Sequence, residues 1–186
     1  MKPTLRLRSV GRDVPCSAIV DPHVPIALTC ARGAASSDDL YHWRSAGRTF
    51  LFELGIFAAS GLVYDASLVL APKEWIHFVD RDLDDPEVST QVGAPIFDVR
   101  PWDARLQDHS IPELSRRLID EPIPFSYSVG AAAVWLRFEG ADAPAHGVVC
   151  GMARFWFDCS DILCGLSVRD LPPDSLRRYR DLPMRR

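Results

Sequence analysis

The sequence predicts an α+β fold: one domain with an antiparallel sheet of about five to seven strands and two or three helices on one face. Three observations carry this prediction. Apolar residues alternate over 48–57 and again over 62–71, the C-terminal third is rich in strand-forming residues, and helix-capping signals stand at Ser36–Ser37 and at Ser110 with Glu113. Strand–helix alternation long enough for a doubly wound parallel sheet is absent. With 186 residues, 47% hydrophobic and 25% charged, the expected unit is a single domain over 1–186, large enough to hold its core without disulfides.

Taken in order, residues 1–35 contain Pro3, Pro15, Pro22 and Pro25, which remove amide donors, so short edge strands and loops are expected, with one strand over Val24 to Cys30. Ser36 and Ser37 can cap a helix over 38–46, with Asp38 and Asp39 at its dipole-favoured start and Gly47 at its end. Arg48 to Phe57 and Leu62 to Ala71 then form a hairpin. Pairing Phe52 with Leu68 puts both apolar sets on one face, whereas a one-residue slip sets Phe52 against Ser67. Pro72 opens a helix over Lys73 to Leu83, where Trp75, Ile76, Phe78, Val79 and Leu83 share a side, although Trp75 to Val79 also suits a strand. Val92 to Val99 reads as an edge strand, and the capping box predicts a helix over 111–120. Three runs close the chain, Ala131 to Glu139, Val148 to Phe157 and Ile162 to Arg169. They predict an antiparallel meander in which Phe157 opposes Ile162, Phe155 opposes Cys164 and Ala153 opposes Leu166.

Charge is distributed unevenly. The net is −4, yet residues 1–12 and residues 177–186 carry +4 each, which leaves −12 on residues 13–176. Asp80, Asp82, Asp84, Asp85 and Glu87 crowd into one short segment opposed only by Arg81, and such acids repel nucleic acid from the body of the domain. No apolar run reaches the roughly eighteen residues a membrane span requires, and no signal peptide is expected. The odd count of five cysteines suits reduced thiols in a cytoplasmic protein.

The signatures of serine hydrolases, zinc proteases, redox dithiols and nucleotide binders (G-x-S-x-G, H-E-x-x-H, C-x-x-C, G-x-x-x-x-G-K-[ST] and G-x-G-x-x-G) are missing. His146, Cys150, Cys159 and Cys164 are the residue types zinc prefers, but the expected register sends Cys164 into the core and Cys150 to the reverse face. Asp80, Asp82 and Asp84 match the opening of a calcium loop, but Asp85 stands where glycine is needed and Gln91 replaces the closing glutamate. His42 with Asp38 and Asp39, and His77 with Asp80, have the spacing of an oriented general base on a helix, without a nucleophile visible beside them. Cys16 and Cys30 flank His23, with Pro22 and Pro25 intervening. No cofactor and no metal is expected. Of the five tryptophans, Trp43, Trp75 and Trp135 are assigned to the core, and Trp102 and Trp156 to the surface as anchors.

The function expected from this pattern is protein binding. An acidic module would recognise a protein with a basic surface, as an inhibitor or immunity-type partner of a basic toxin or nucleic-acid-acting enzyme does, through Asp80, Asp82, Asp84, Asp85, Glu87 and Trp102. An enzyme or small-molecule binder using His42, His77 or a cysteine is the alternative. A subunit docking through the arginines of 177–186 is the third.

Overall fold

A computed structural model of the chain describes residues 2–19, 25–30, 35–36, 39–71, 75–81, 83–174 and 176. Among these the strands are β1 (Leu7–Val10), β2 (Ser17–Ile19), β3 (Ile26–Thr29), β4 (Leu40–Ala46), β5 (Leu51–Phe57), β6 (Val63–Leu70), β7 (Ile76–Phe78), β8 (Ser89–Val92) and β9 (Pro95–Phe97). A helix α1 (Arg100–Gln107) and a single turn α2 (Glu113–Arg116) follow, then β10 (Leu118–Glu121), β11 (Phe125–Val129), β12 (Val134–Phe138), β13 (His146–Cys150), β14 (Ala153–Phe157) and β15 (Leu163–Val168). One sheet runs β10-β4-β5-β6-β3-β2, a second runs β7-β11-β12-β15-β14-β13-β8, and β1 pairs with β9 alone.

The α+β expectation is therefore corrected: strands make up 48% of the described residues and helix 10%. Strand periodicity explains the difference. In β4, Tyr41, Trp43 and Ser45 point inward while His42 and Arg44 point outward, and this alternation with poor helix formers overrides the capping serines. In the predicted helix 111–120, Ser110 bonds Asp108 rather than capping, Pro112 takes the cap position, and after one turn Leu118–Glu121 pairs in parallel with β4. Of the predicted helix 73–83, residues 73, 74 and 82 lie outside the described residues, and Ile76–Phe78 is a strand parallel to β11. Pro101, in the first turn, suits the start of α1.

The two large sheets pack face to face as a sandwich whose inner residues join one continuous core. Across the interface Trp43 meets Phe138 edge-on with ring centroids 5.5 Å apart, and Phe52 lies 5.7 Å from Phe138 and 6.4 Å from Phe125. The β5–β6 hairpin has the expected Phe52–Leu68 pairing. In the C-terminal meander the register is shifted by two residues from expectation: Phe155 opposes Leu166 and Ala153 opposes Val168. An even shift keeps the same side chains inside. The run Val148 to Phe157 is not one strand, because Gly151 adopts φ +55 and folds it into the hairpin β13–β14. The β1–β9 pair ties the sheets together at one end. Leu7 N–H donates to Asp161 O at 2.8 Å beside the β14–β15 turn, and Phe97 N–H donates to Gly61 O at 2.7 Å in the β5–β6 loop. Among the described residues no helix is long and apolar enough to cross a membrane.

Candidate functional site

The acidic segment forms a strap. β7 and β8 lie at opposite edges of the seven-stranded sheet, so the segment between them must cross the sheet, and its described residues 79–81 and 83–88 run over the outer face. Strand alternation places Arg154 and Trp156 of β14 and Ser167 of β15 on that face, and Arg169, just past β15, continues it. Asp85 fastens the strap there. Its Oδ1 accepts from Arg169 Nη2 at 2.6 Å and Nε at 3.0 Å and from Ser167 Oγ at 3.3 Å, while Oδ2 pairs with Arg154. Ser167 Oγ in turn accepts the Trp156 indole N–H at 3.1 Å. Leu83 seats against Gly130, where a Cβ would lie 3.0 Å from Leu83 Cγ.

This arrangement divides the predicted partner-binding residues. Asp80, Asp84 and Glu87 are exposed, Asp85 is turned inward to its two arginines, and Asp82 lies outside the described residues. Trp102 is corrected as an exposed anchor: only 6% of its surface is accessible, and it packs edge-on against Tyr41 at 5.4 Å. The cause is α1, which lays its one buried residue on the inward-facing Tyr41 and joins it through a hydrogen bond of 2.9 Å from Tyr41 Oη to Asp103. Trp156 is likewise buried. Beyond Glu87 the strap enters β8, whose four residues are all exposed, with Val92 at 70%. No further strand pairs with β8 among the described residues. Since Gly93 N–H bonds Val149 O, the period of two turns the backbone of Gln91 toward β13 and that of Thr90 and Val92 toward the open edge.

A second constellation lies inside. Cys16 immediately precedes β2 and Cys30 immediately follows β3, so extending the register of Ser17 against Thr29 sets the two cysteines opposite each other. Cys30 N–H points away, to Tyr64 O at 2.7 Å, which makes Cys16 and Cys30 a non-hydrogen-bonded pair with close side chains. Their sulfurs are 2.8 Å apart. Cys150 ends β13 on the facing sheet, and its Sγ joins them: the three sulfurs all lie within 4.8 Å of one another. Gly151 permits this approach, because a Cβ there would stand 2.8 Å from the Cys16 carbonyl oxygen and 2.9 Å from its nitrogen. Hydrogen bonds from the thiols of Cys16 and Cys30 push the Cys150 thiol below the ordinary range. The same bonding to Cys150, with burial added, pushes theirs up.

Sequence reasoning missed this grouping. It joined Cys150 to Cys159 and Cys164, whereas Cys159 is exposed and Cys164 Sγ donates to Trp156 O at 3.2 Å. It also placed Cys150 on the reverse face, where the structure has it fully buried, because the turn at Gly151 was read as strand. Pairing 16–19 with 27–30 as a hairpin would have exposed the Cys16–Cys30 match. His23 lies outside the described residues. His42 is on a strand and pairs with Glu53, Nδ1 3.1 Å from Oε1, rather than with Asp39, and Asp38 lies outside the described residues. His77 is exposed on β7. The arginine-rich residues 177–186 lie outside the described residues.

No protein-family model matches this chain, and no curated protein matches it.

Proposed function

We propose that the protein acts by binding another protein with a cationic surface, through the acidic strap and the open edge of β8. The observation that carries this reading is the fastening of Asp85 to Arg154 and Arg169, which holds the strap across the sheet while Asp84 and Glu87 face solvent. Acids fixed in place steer a basic partner and lose little entropy on binding it. The outward backbone groups of Thr90 and Val92 suit a partner's strand added to the edge. The fitting class is a basic toxin or nucleic-acid-acting protein, whose phosphate-binding surface the acids would cover in the manner of an inhibitor. Five cysteines without a disulfide suit a reducing cytoplasm.

The test begins with affinity capture of a partner and proceeds to its association kinetics. Combined Asp80→Asn, Asp84→Asn and Glu87→Gln should slow association at low salt by about 10-fold and flatten its salt dependence. Glu139→Gln with Asp174→Asn, two exposed acids elsewhere, should leave both unchanged. An unaltered low-salt on-rate in the strap variant would overturn the proposal.

A further inference from the structure

We infer that Cys16, Cys30 and Cys150 form a three-thiolate site for one thiophilic cation with a filled d shell, of the zinc or copper(I) class, that clips the two sheets of the sandwich together. The inference is independent of the acidic strap. Three buried sulfurs from two sheets converge within 4.8 Å, and Cys159 and Cys164 are excluded from the group. Three thiolates bound at about 2.3 Å around one ion would stand roughly 4 Å apart. The present spacing brackets that value: the Cys16–Cys30 separation of 2.8 Å would open by about 1 Å, within the reach of a χ1 adjustment.

The donor set selects the cation. Thiolate sulfur favours zinc and copper(I) over magnesium or calcium, and three ligands complete a trigonal copper(I) site or leave one position open on tetrahedral zinc. Binding replaces S–H bonds by S–metal bonds and releases the thiol protons to solvent, with no change of oxidation state and no co-reactant. Cys16 retains 8% exposure, whereas Cys30 and Cys150 are fully buried.

The probe is Cd2+ added without oxygen to the reduced full chain, followed by thiolate-to-metal charge-transfer absorption and by native mass spectrometry. The expected result is saturation at one equivalent, an intensity matching three thiolates, and a rise in the unfolding midpoint. Cys16→Ser, Cys30→Ser and Cys150→Ser should each weaken binding by about 100-fold or more, and Cys159→Ser should leave it unchanged. Because a serine in the core can impair folding, the intensity per bound Cd2+ in the unsubstituted protein stands as the second measurement. Absence of one-equivalent saturation, an intensity matching one thiolate, or loss of binding with Cys159→Ser alone would overturn the inference. So would isolation of Cys16–Cys30 as a disulfide that resists reduction in the native protein.

Discussion

Replacing Gly151 by alanine tests how closely the two sheets meet. Gly151 has φ +55, and a side chain in that region costs about 1 kcal/mol. Its Cβ would stand 2.8 Å, 2.9 Å and 3.0 Å from the carbonyl oxygen, nitrogen and Cβ of Cys16. Two of those atoms are backbone and cannot rotate aside, so the hairpin tip must move away from β2, a packing loss of about 1–3 kcal/mol. Alanine also reduces the freedom of the unfolded chain, which returns about 0.5 kcal/mol. The net expectation is a destabilisation of about 1.5–3.5 kcal/mol in urea unfolding, with the slope against denaturant unchanged. Gly140, at φ +73 in the exposed turn after β12, supplies the comparison, since there only the backbone cost applies. Equal losses for Gly151→Ala and Gly140→Ala, within about 0.5 kcal/mol, would refute the close approach of Gly151 to Cys16.

Other outcomes follow from the same contacts. Asp85→Asn leaves Arg154 and Arg169 facing each other without a carboxylate on a partly covered face, and should cost about 1–2 kcal/mol in urea unfolding. A change below about 0.3 kcal/mol would mean the strap is held by something else. Bonding to Glu53 raises the His42 pKa above the ordinary 6.5 despite the opposing effect of burial. The protonated form is therefore favoured by folding. Its stabilisation is fully present below pH 6.5 and is lost as pH rises through the raised folded value. His42→Gln should flatten that decline in unfolding free energy, and an unchanged slope would contradict it. Phe138→Ala removes the ring that meets Trp43 and Phe52 across the sandwich, and should cost about 3–5 kcal/mol in the same assay. A loss under 1.5 kcal/mol would show that the sheets do not depend on that contact.

What the sequence disclosed followed from period-two patterning over long runs. Alternation over 48–57 and 62–71 fixed the Phe52–Leu68 register, since a one-residue slip would have turned Phe52 out of the core. The same rule failed at 40–46, where two serines and two aspartates imitate a helix start and only seven residues carry the strand signal. It failed again at 148–157, because glycine at 151 is a legal strand residue until tertiary structure requires its positive φ. Parallel pairing of β10 with β4, and of β7 with β11, depends on partners distant in sequence and leaves no local mark. The candidate sites were harder still. Nothing local distinguishes Asp85, which bonds inward, from Asp84, which faces water; the difference arises from arginines 69 and 84 residues away. The thiol cluster unites Cys16 with Cys150 across two sheets, and only the packing of those sheets brings them together. Trp102 was assigned to the surface, but proline in the first turn begins the helix that buries it.

Hydrogen exchange of the backbone amides, in the free protein and with a captured basic partner bound, tests the binding account most directly. The account predicts slowed exchange at Thr90 and Val92 on β8 when the partner is bound, and loss of that protection once Asp80, Asp84 and Glu87 are neutralised. Protection confined to other strands, with β8 exchanging as fast as in the free protein, would contradict it.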